Sequence, residues 1–148
     1  MTSRRTLLRA VPLLLVAQLG LAGCATSGKT YTEARDTLPP LPPDHGRLLI
    51  YRSIVLGAAV QPPILVNGTP VGTAIPRGFH VVDRPAGDYE IKTTTEVTRT
   101  LTLTLTPGQT RFVRLNISIG FFVGHVYPEL VEDAEGVKEI ADLRMIGG

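Results

Sequence analysis

Cys24 is the only cysteine in the chain, so neither an intrachain disulfide nor a cysteine-rich metal cluster can form. The three histidines, His45, His80 and His125, lie 35 and 45 residues apart, and none has a partner ligand at metal-binding spacing. His80 is expected on a strand surface and His125 in a loop. Past Cys24, Ser27, Ser53 and Ser118 fall outside any Gly-x-Ser-x-Gly elbow, so a hydrolase is unsupported. The carboxylates Glu129, Glu132, Asp133 and Glu135 could attract calcium but lack the spacing of a calcium loop, and a solvated acidic turn is the expectation. Asn67-Gly68-Thr69 and Asn116-Ile117-Ser118 match a glycosylation sequon, which a hairpin and a strand produce by chance. Catalytic residues, metal ligands and cofactors are therefore all expected to be none. The chemistry that remains is a reaction on the sulfur of Cys24.

The residues ahead of that sulfur have a definite order. Arg4, Arg5 and Arg9 come first, with no acid before Glu33, and an apolar run follows from Ala10 to Ala22, broken only by Pro12, Gln18 and Gly20. This is the order of a signal peptide, and the run falls short of the roughly 20 residues a membrane-crossing helix needs. Leu21-Ala22-Gly23-Cys24 resembles a bacterial lipoprotein box, with two small residues before the cysteine. The resemblance implies alkylation of the Cys24 thiol by diacylglycerol, cleavage before it and acylation of the freed amine. Two or more acyl chains hold stably where one holds marginally. Residues 1–23 are thus expected to be a lipoprotein signal peptide, with Cys24 the palmitate-bearing attachment point. Ala25 is not the aspartate that retains many such proteins in the inner membrane, which favours the outer membrane, facing the periplasm. Ser3-Arg4-Arg5-Thr6-Leu7-Leu8-Arg9 is also similar to a twin-arginine export motif; a basic leader for the general secretory route remains the alternative.

Removing the leader changes the electrostatic reading. The chain has 15 Lys plus Arg and 13 Asp plus Glu, but Arg4, Arg5 and Arg9 precede Cys24 and no acid does, which leaves 12 against 13. A balance of −1 gives no footing for a nucleic-acid partner. From Cys24 to Gly46 the chain is rich in Ser, Thr, Gly and Pro and ends in Leu38-Pro39-Pro40-Leu41-Pro42-Pro43. Residues 24–46 are expected to be an extended, Pro-rich tether that stands a domain, residues 47–148, off the membrane.

That domain reads as β. Arg47 to Val55 is a nearly continuous apolar run suited to a strand covered on both faces. Asn67-Gly68 between Ile64-Leu65-Val66 and Val71-Gly72-Thr73 is a strong hairpin signal. Phe79 to Val82 forms a further strand, and Pro85-Ala86-Gly87-Asp88 turns the chain. Period-two alternation places Tyr89, Ile91, Thr93, Thr95 and Val97 on one face, then Leu101, Leu103 and Leu105, then Val113, Leu115, Ile117 and Ile119. A strand through Val126 to Val131 and a short C-terminal helix bearing Val137, Ile140, Ala141 and Arg144 complete the pattern. The expectation is a mainly β, antiparallel, immunoglobulin-like sandwich. In Gly120-Phe121-Phe122-Val123-Gly124, two aromatics sit between glycines in a chain that is only 5% aromatic. Phe121 and Phe122 either present a partner contact on a mobile loop or fold over the open end and close the core.

In this order the segments resemble the small bacterial lipoproteins of domain-of-unknown-function family 2846. The likeness rests on Tyr51-Arg52, the hairpin Val66 to Gly72, Arg77-Gly78-Phe79, Pro85 to Tyr89, Pro107-Gly108-Gln109-Thr110 with Phe112, Gly120 to Gly124 and Glu129 to Gly136. The chain departs from the family at Phe79 and Phe112, where tyrosines are usual. The family is similar to PEGA-type envelope modules, and it implies fold and location, with no activity to transfer. The expected function is a non-catalytic, lipid-anchored envelope protein that supports or docks an unidentified protein partner. The alternative is a periplasmic module binding a small ligand, glycan or peptidoglycan fragment.

Overall fold

Leu48, Leu49, Ile50 and Tyr51 are all fully buried, although successive side chains of a strand point to opposite faces. The strand that carries them must therefore be covered twice, and the rest of the architecture supplies the two covers. The computed structural model describes residues 28–147, so the leader and Cys24 lie outside the described residues. The strands run in chain order as β1 (His45–Arg52), β2 (Pro63–Val66), β3 (Thr69–Thr73), β4 (Gly78–Pro85), β5 (Gly87–Thr94), β6 (Thr98–Leu105), β7 (Thr110–Ser118), β8 (His125–Val131) and β9 (Arg144–Met145). Two helices flank them, α1 (Tyr31–Ala34), followed by a 3-10 turn over Arg35–Thr37, and α2 (Asp133–Ile140).

One sheet has the order β8-β7-β1-β4-β9 and the other β3-β2-β5-β6. The fold is a mainly β, two-sheet sandwich with a short helix near the C-terminus. It is less purely antiparallel than expected, because β1 pairs parallel with β7 and β4 parallel with β9. Between β1 and β7 the chain lays β4 beside β1 and builds the four strands of the second sheet, and it then returns to β7 in the original direction. Between the sheets lie Leu48, Ile50, Val82, Val113 and Leu115 from one side and Ile64, Val66, Ile91, Leu103 and Leu105 from the other. Thr93 reaches across, its hydroxyl donating to the Val126 carbonyl at 2.6 Å. The β2–β3 turn is as expected: Asn67 and Gly68 have φ of 47° and 78°, the left-handed pair that a type I′ hairpin requires.

The opposite face of the first sheet buries Leu49, Tyr51, Phe79, Phe112 and Val131 beneath Ala34, Ile140 and Leu143. The helix differs in detail from its sequence pattern: Ile140 and Gly136 are buried, whereas Val137 is 42% exposed. Gly136 lies so close to the Phe112 ring that a Cβ would collide with it, which leaves no room for a larger residue on the packed face.

The extended tether expected over residues 24–46 does not hold for Thr30–Thr37. Thr30 caps α1 by accepting from the Glu33 amide, and the Glu33 carboxylate accepts from the Thr30 amide at 2.8 Å, a reciprocal capping box. Ala34 is completely buried, and the Tyr31 ring meets Phe79 edge to face at 5.7 Å. Lys29 accepts from the Met145 amide, and Tyr31 donates to the Leu143 carbonyl. The proline run is also tied to the body, since Arg47 donates to the Pro39 carbonyl at 2.7 Å while holding Asp83. The apolar surface of Tyr31 and Ala34 gains more by covering Phe79 than by remaining in water.

His80 is not on the surface as expected. It is 6% exposed, and its Nε2 donates to the Thr73 carbonyl at 2.8 Å. Burial outweighs that bond and holds its pKa below the ordinary imidazole value of 6.5. The unfolded chain therefore takes up a proton at a higher pH than the folded one. The stability from neutral His80 is complete above 6.5 and is lost as the pH falls below it. Lowering the pH from about 7.5 to about 5 is expected to reduce the melting temperature more in the native chain than in His80→Gln. Parallel pH profiles of the two would exclude this role.

Candidate functional site

Arg52 closes β1 with a guanidinium that is fully buried. Its Nη1 donates to the Val60 and Ala74 carbonyls at 2.7 and 3.0 Å, and its Nη2 to those of Leu56 and Gly57 at 2.7 and 3.0 Å. Burial holds its pKa below the usual arginine value. Four carbonyl acceptors replace the water that a buried cation would otherwise miss. The bonds fold the 53–62 connection back across the end of the sheet and leave Val55 and Leu56, 57% and 69% exposed, on its outer side.

A second device works beside it. Glu96, at the tip of the β5–β6 hairpin, accepts from the backbone amides of Phe121, Phe122 and Val123 at 3.1, 2.5 and 2.7 Å. Desolvation raises the pKa of this carboxylate, but the three amides outweigh it and hold the pKa below the ordinary value. His125 Nε2 lies 3.6 Å away, and Thr95 meets its Nδ1 at 3.3 Å. His125 thus opens β8 rather than lying in a loop, and its neighbouring carboxylate is already engaged by backbone. The glycines around the aromatics make the loop tight: a Cβ on Gly120 would collide with the Val123 carbonyl.

The loop is therefore pinned at its backbone, and its side chains point away from the core. Phe121 and Phe122 are 88% and 85% exposed and pack on each other edge to face, with centroids 4.7 Å apart. They do not close the sandwich. Ile119, expected on the inner face of β7, is almost fully exposed because the strand ends at Ser118. A groove of about 310 Å³ runs between Leu56 and Gly57 on one side and Ile117, Ile119, Phe122 and Val123 on the other. Eight of the ten exposed large apolar side chains among the described residues belong to the 53–62 connection, the β5–β6 tip and the 119–124 loop. All three lie at the Arg52 end of the sandwich.

Two of the four carboxylates expected in a solvated acidic turn, Glu129 and Glu135, are held by an arginine, while Glu132 and Asp133 are exposed. Arg114 binds Glu129, Glu135 and Glu139 at 3.0, 2.7 and 2.6 Å, and the Tyr51 hydroxyl donates to Glu139 at 2.6 Å. Burial opposes the charge of Arg114, yet the three carboxylates hold its pKa above the usual value. The cluster ties α2 to β7 and β8. The cluster is not legible in the sequence, because Tyr51, Arg114, Glu129 and Glu139 come from four separate elements, β1, β7, β8 and α2. Among the described residues no group of three His, Cys, Asp or Glu could hold a metal ion, and no helix is long and apolar enough to cross a membrane.

A family model described as "Protein of unknown function (DUF2846)" matches residues 42–126, more than half of the chain. The chain belongs to the DUF2846 family. Comparison with curated proteins and with solved structures found no match. The DUF2846 match takes in Arg52, Glu96, Phe121 and Phe122, whereas Cys24, α1 and α2 fall outside it.

Two substitutions separate the supports of this end. Arg52→Met is expected to cost about 2 to 4 kcal/mol in chemical denaturation, because it strands four carbonyls at once. Glu96→Ala is expected to leave the global midpoint nearly unchanged while speeding amide hydrogen exchange at Phe121, Phe122 and Val123 by about tenfold or more. Unchanged exchange there would show that the carboxylate does not hold the loop.

Proposed function

We propose that this DUF2846 chain is a non-catalytic, lipid-anchored module of the cell envelope, a PEGA-like sandwich held through Cys24 at the outer membrane and facing the periplasm. The observation that carries this reading is the position of Cys24. The thiol ends a leader of signal-peptide composition, directly after the small residues Ala22 and Gly23. The absence of a second cysteine suits a residue reserved for acylation.

The chemistry of the side chains supports a non-catalytic role. His80 is buried against a backbone carbonyl, and the carboxylate beside His125 is taken up by three amides. The Leu56–Phe122 groove is lined mostly by apolar side chains, which offers a sugar or peptidoglycan fragment few hydrogen-bonding partners. An anchored body with one apolar end suits support or docking within the envelope better than turnover of a polar substrate.

Radiolabelled palmitate is expected to enter the native chain in cells and to be absent from Cys24→Ala, which would appear in the soluble fraction. A native chain without label, or equal labelling of the variant, would overturn the reading.

A further inference from the structure

Two sheets have four edges, and three of them are closed to further pairing. In the first sheet β9 is two residues long and is bordered by the 29–30 segment, through the Met145 amide donating to the Lys29 carbonyl and the Thr30–Arg144 bridge. At the other edge β8 carries Pro128 in mid-strand, and in the second sheet β3 carries Pro70 beside a break in register. Proline removes a donor from the outward row of an edge strand, and such devices keep edges from pairing with another chain. β6 has none of them. It runs eight residues, Thr98 to Leu105, in unbroken register with β5, without proline or glycine and with Arg99 as its only charge. Glu90 on β5 turns its amide and carbonyl toward Asn67, so the odd positions of β5 face β6. On β6, Thr98, Thr100, Thr102 and Thr104 therefore turn their backbone groups away from the sheet. Among the described residues no backbone bond from outside the ladder reaches these four, and β8 meets this sheet on its interior side, where Thr93 bonds Val126.

We propose that β6 pairs antiparallel with β6 of a second copy of this chain, joining the two four-stranded sheets into one continuous sheet. The register that engages all four outward threonines sets Thr98 opposite Thr104 and Thr100 opposite Thr102 of the second copy, with Leu101 on the two-fold axis. Each outward pair exchanges two hydrogen bonds, about eight in all. Because side chains alternate between faces, threonine meets threonine on the wet face and Leu101 meets its counterpart on the interior side, both favourable across strands. The same register places Arg99 opposite Leu103, and Lys92 of one copy in the row of Glu90 of the other, so opposite charges share a row and like charges do not meet. This self-complementarity singles out a second copy over an unrelated strand. Closure then ends the assembly at a dimer: an isologous pairing uses up the one unguarded edge, whereas head-to-tail growth needs a second edge that the prolines and the 29–30 segment deny. The pairing is independent of the anchor on Cys24.

Thr100 and Thr102 are exposed, so their side chains can be changed without touching the core. The full chain is purified in detergent, its mass is read by native mass spectrometry, and its amide hydrogen exchange is followed residue by residue. The native chain is expected to be a dimer at about 100 µM, well above a micromolar dissociation constant. Thr100→Lys with Thr102→Lys sets like charges opposite each other and is expected to give monomers, whose Thr100 to Thr104 outward amides exchange about tenfold faster or more. Thr100→Glu with Thr102→Lys sets opposite charges there and is expected to keep the dimer. The Leu101 and Leu103 amides, which face β5, report in each variant that the sheet itself is intact. A monomeric native chain, a native dimer with fast exchange at the outward amides, or identical behaviour of the two double variants overturns the proposal. If the native chain is monomeric and a photoreactive residue at position 102 crosslinks in cells to a different protein, the edge belongs to a foreign strand instead. None of these outcomes depends on whether Cys24 is acylated.

Discussion

Strand β1 has no face turned to water. Leu48 and Ile50 need the second sheet, Leu49 and Tyr51 need a layer on the opposite side, and neither need can be met by residues close in sequence. Burying an aliphatic or aromatic side chain contributes about 1.5 to 3 kcal/mol, so the strand recruits whatever apolar surface the remaining chain offers. The second layer is assembled from both ends of the described chain, α1 from one and α2 with Leu143 from the other. That demand folds the N-terminal segment back onto the body, although its composition suggests a free linker.

Much of the architecture could be read locally. Asn67-Gly68 specifies its turn, the alternation of Leu101, Leu103 and Leu105 marks a strand with one wet face, and the unbroken run in β1 signals double cover. The capping box of α1 is present in the sequence as Thr30-Tyr31-Thr32-Glu33, but it is set among prolines and small polar residues whose composition favours an extended chain. What could not be read locally was pairing at a distance. The parallel alignment of β1 with β7 depends on how the second sheet returns the chain. The burial of His80 depends on Thr73 across the fold, and the neutralised Glu129 and Glu135 depend on Arg114. The exposure of Phe121 and Phe122 belongs to the same class: a glycine-flanked aromatic pair closes a core or leaves it according to whether a distant carboxylate holds its backbone.

The two ends of the sandwich are built differently. At the His45 end the chain reverses through short turns closed by backbone bonds, Ala86 to Asp44 and Gly108 to His45. At the Arg52 end two charged side chains, one of each sign, organise longer loops by binding backbone rather than each other. Arg52 directs both Nη groups at carbonyls and Glu96 its oxygens at amides, so the loops gain definition without covering their own apolar side chains. A body made this way has a polarity along its strand axis that composition alone does not show.

The family match ends at residue 126 and starts at residue 42, and the second core takes no account of those limits. A fragment cut to them would lose α1, most of β8, α2 and β9 while keeping Leu49, Tyr51, Phe79 and Phe112. It would present a bare hydrophobic sheet to solvent and a newly opened edge at β7, the combination that drives strand-to-strand aggregation. The unit that folds as one stable piece is therefore larger than the segment by which the family is recognised.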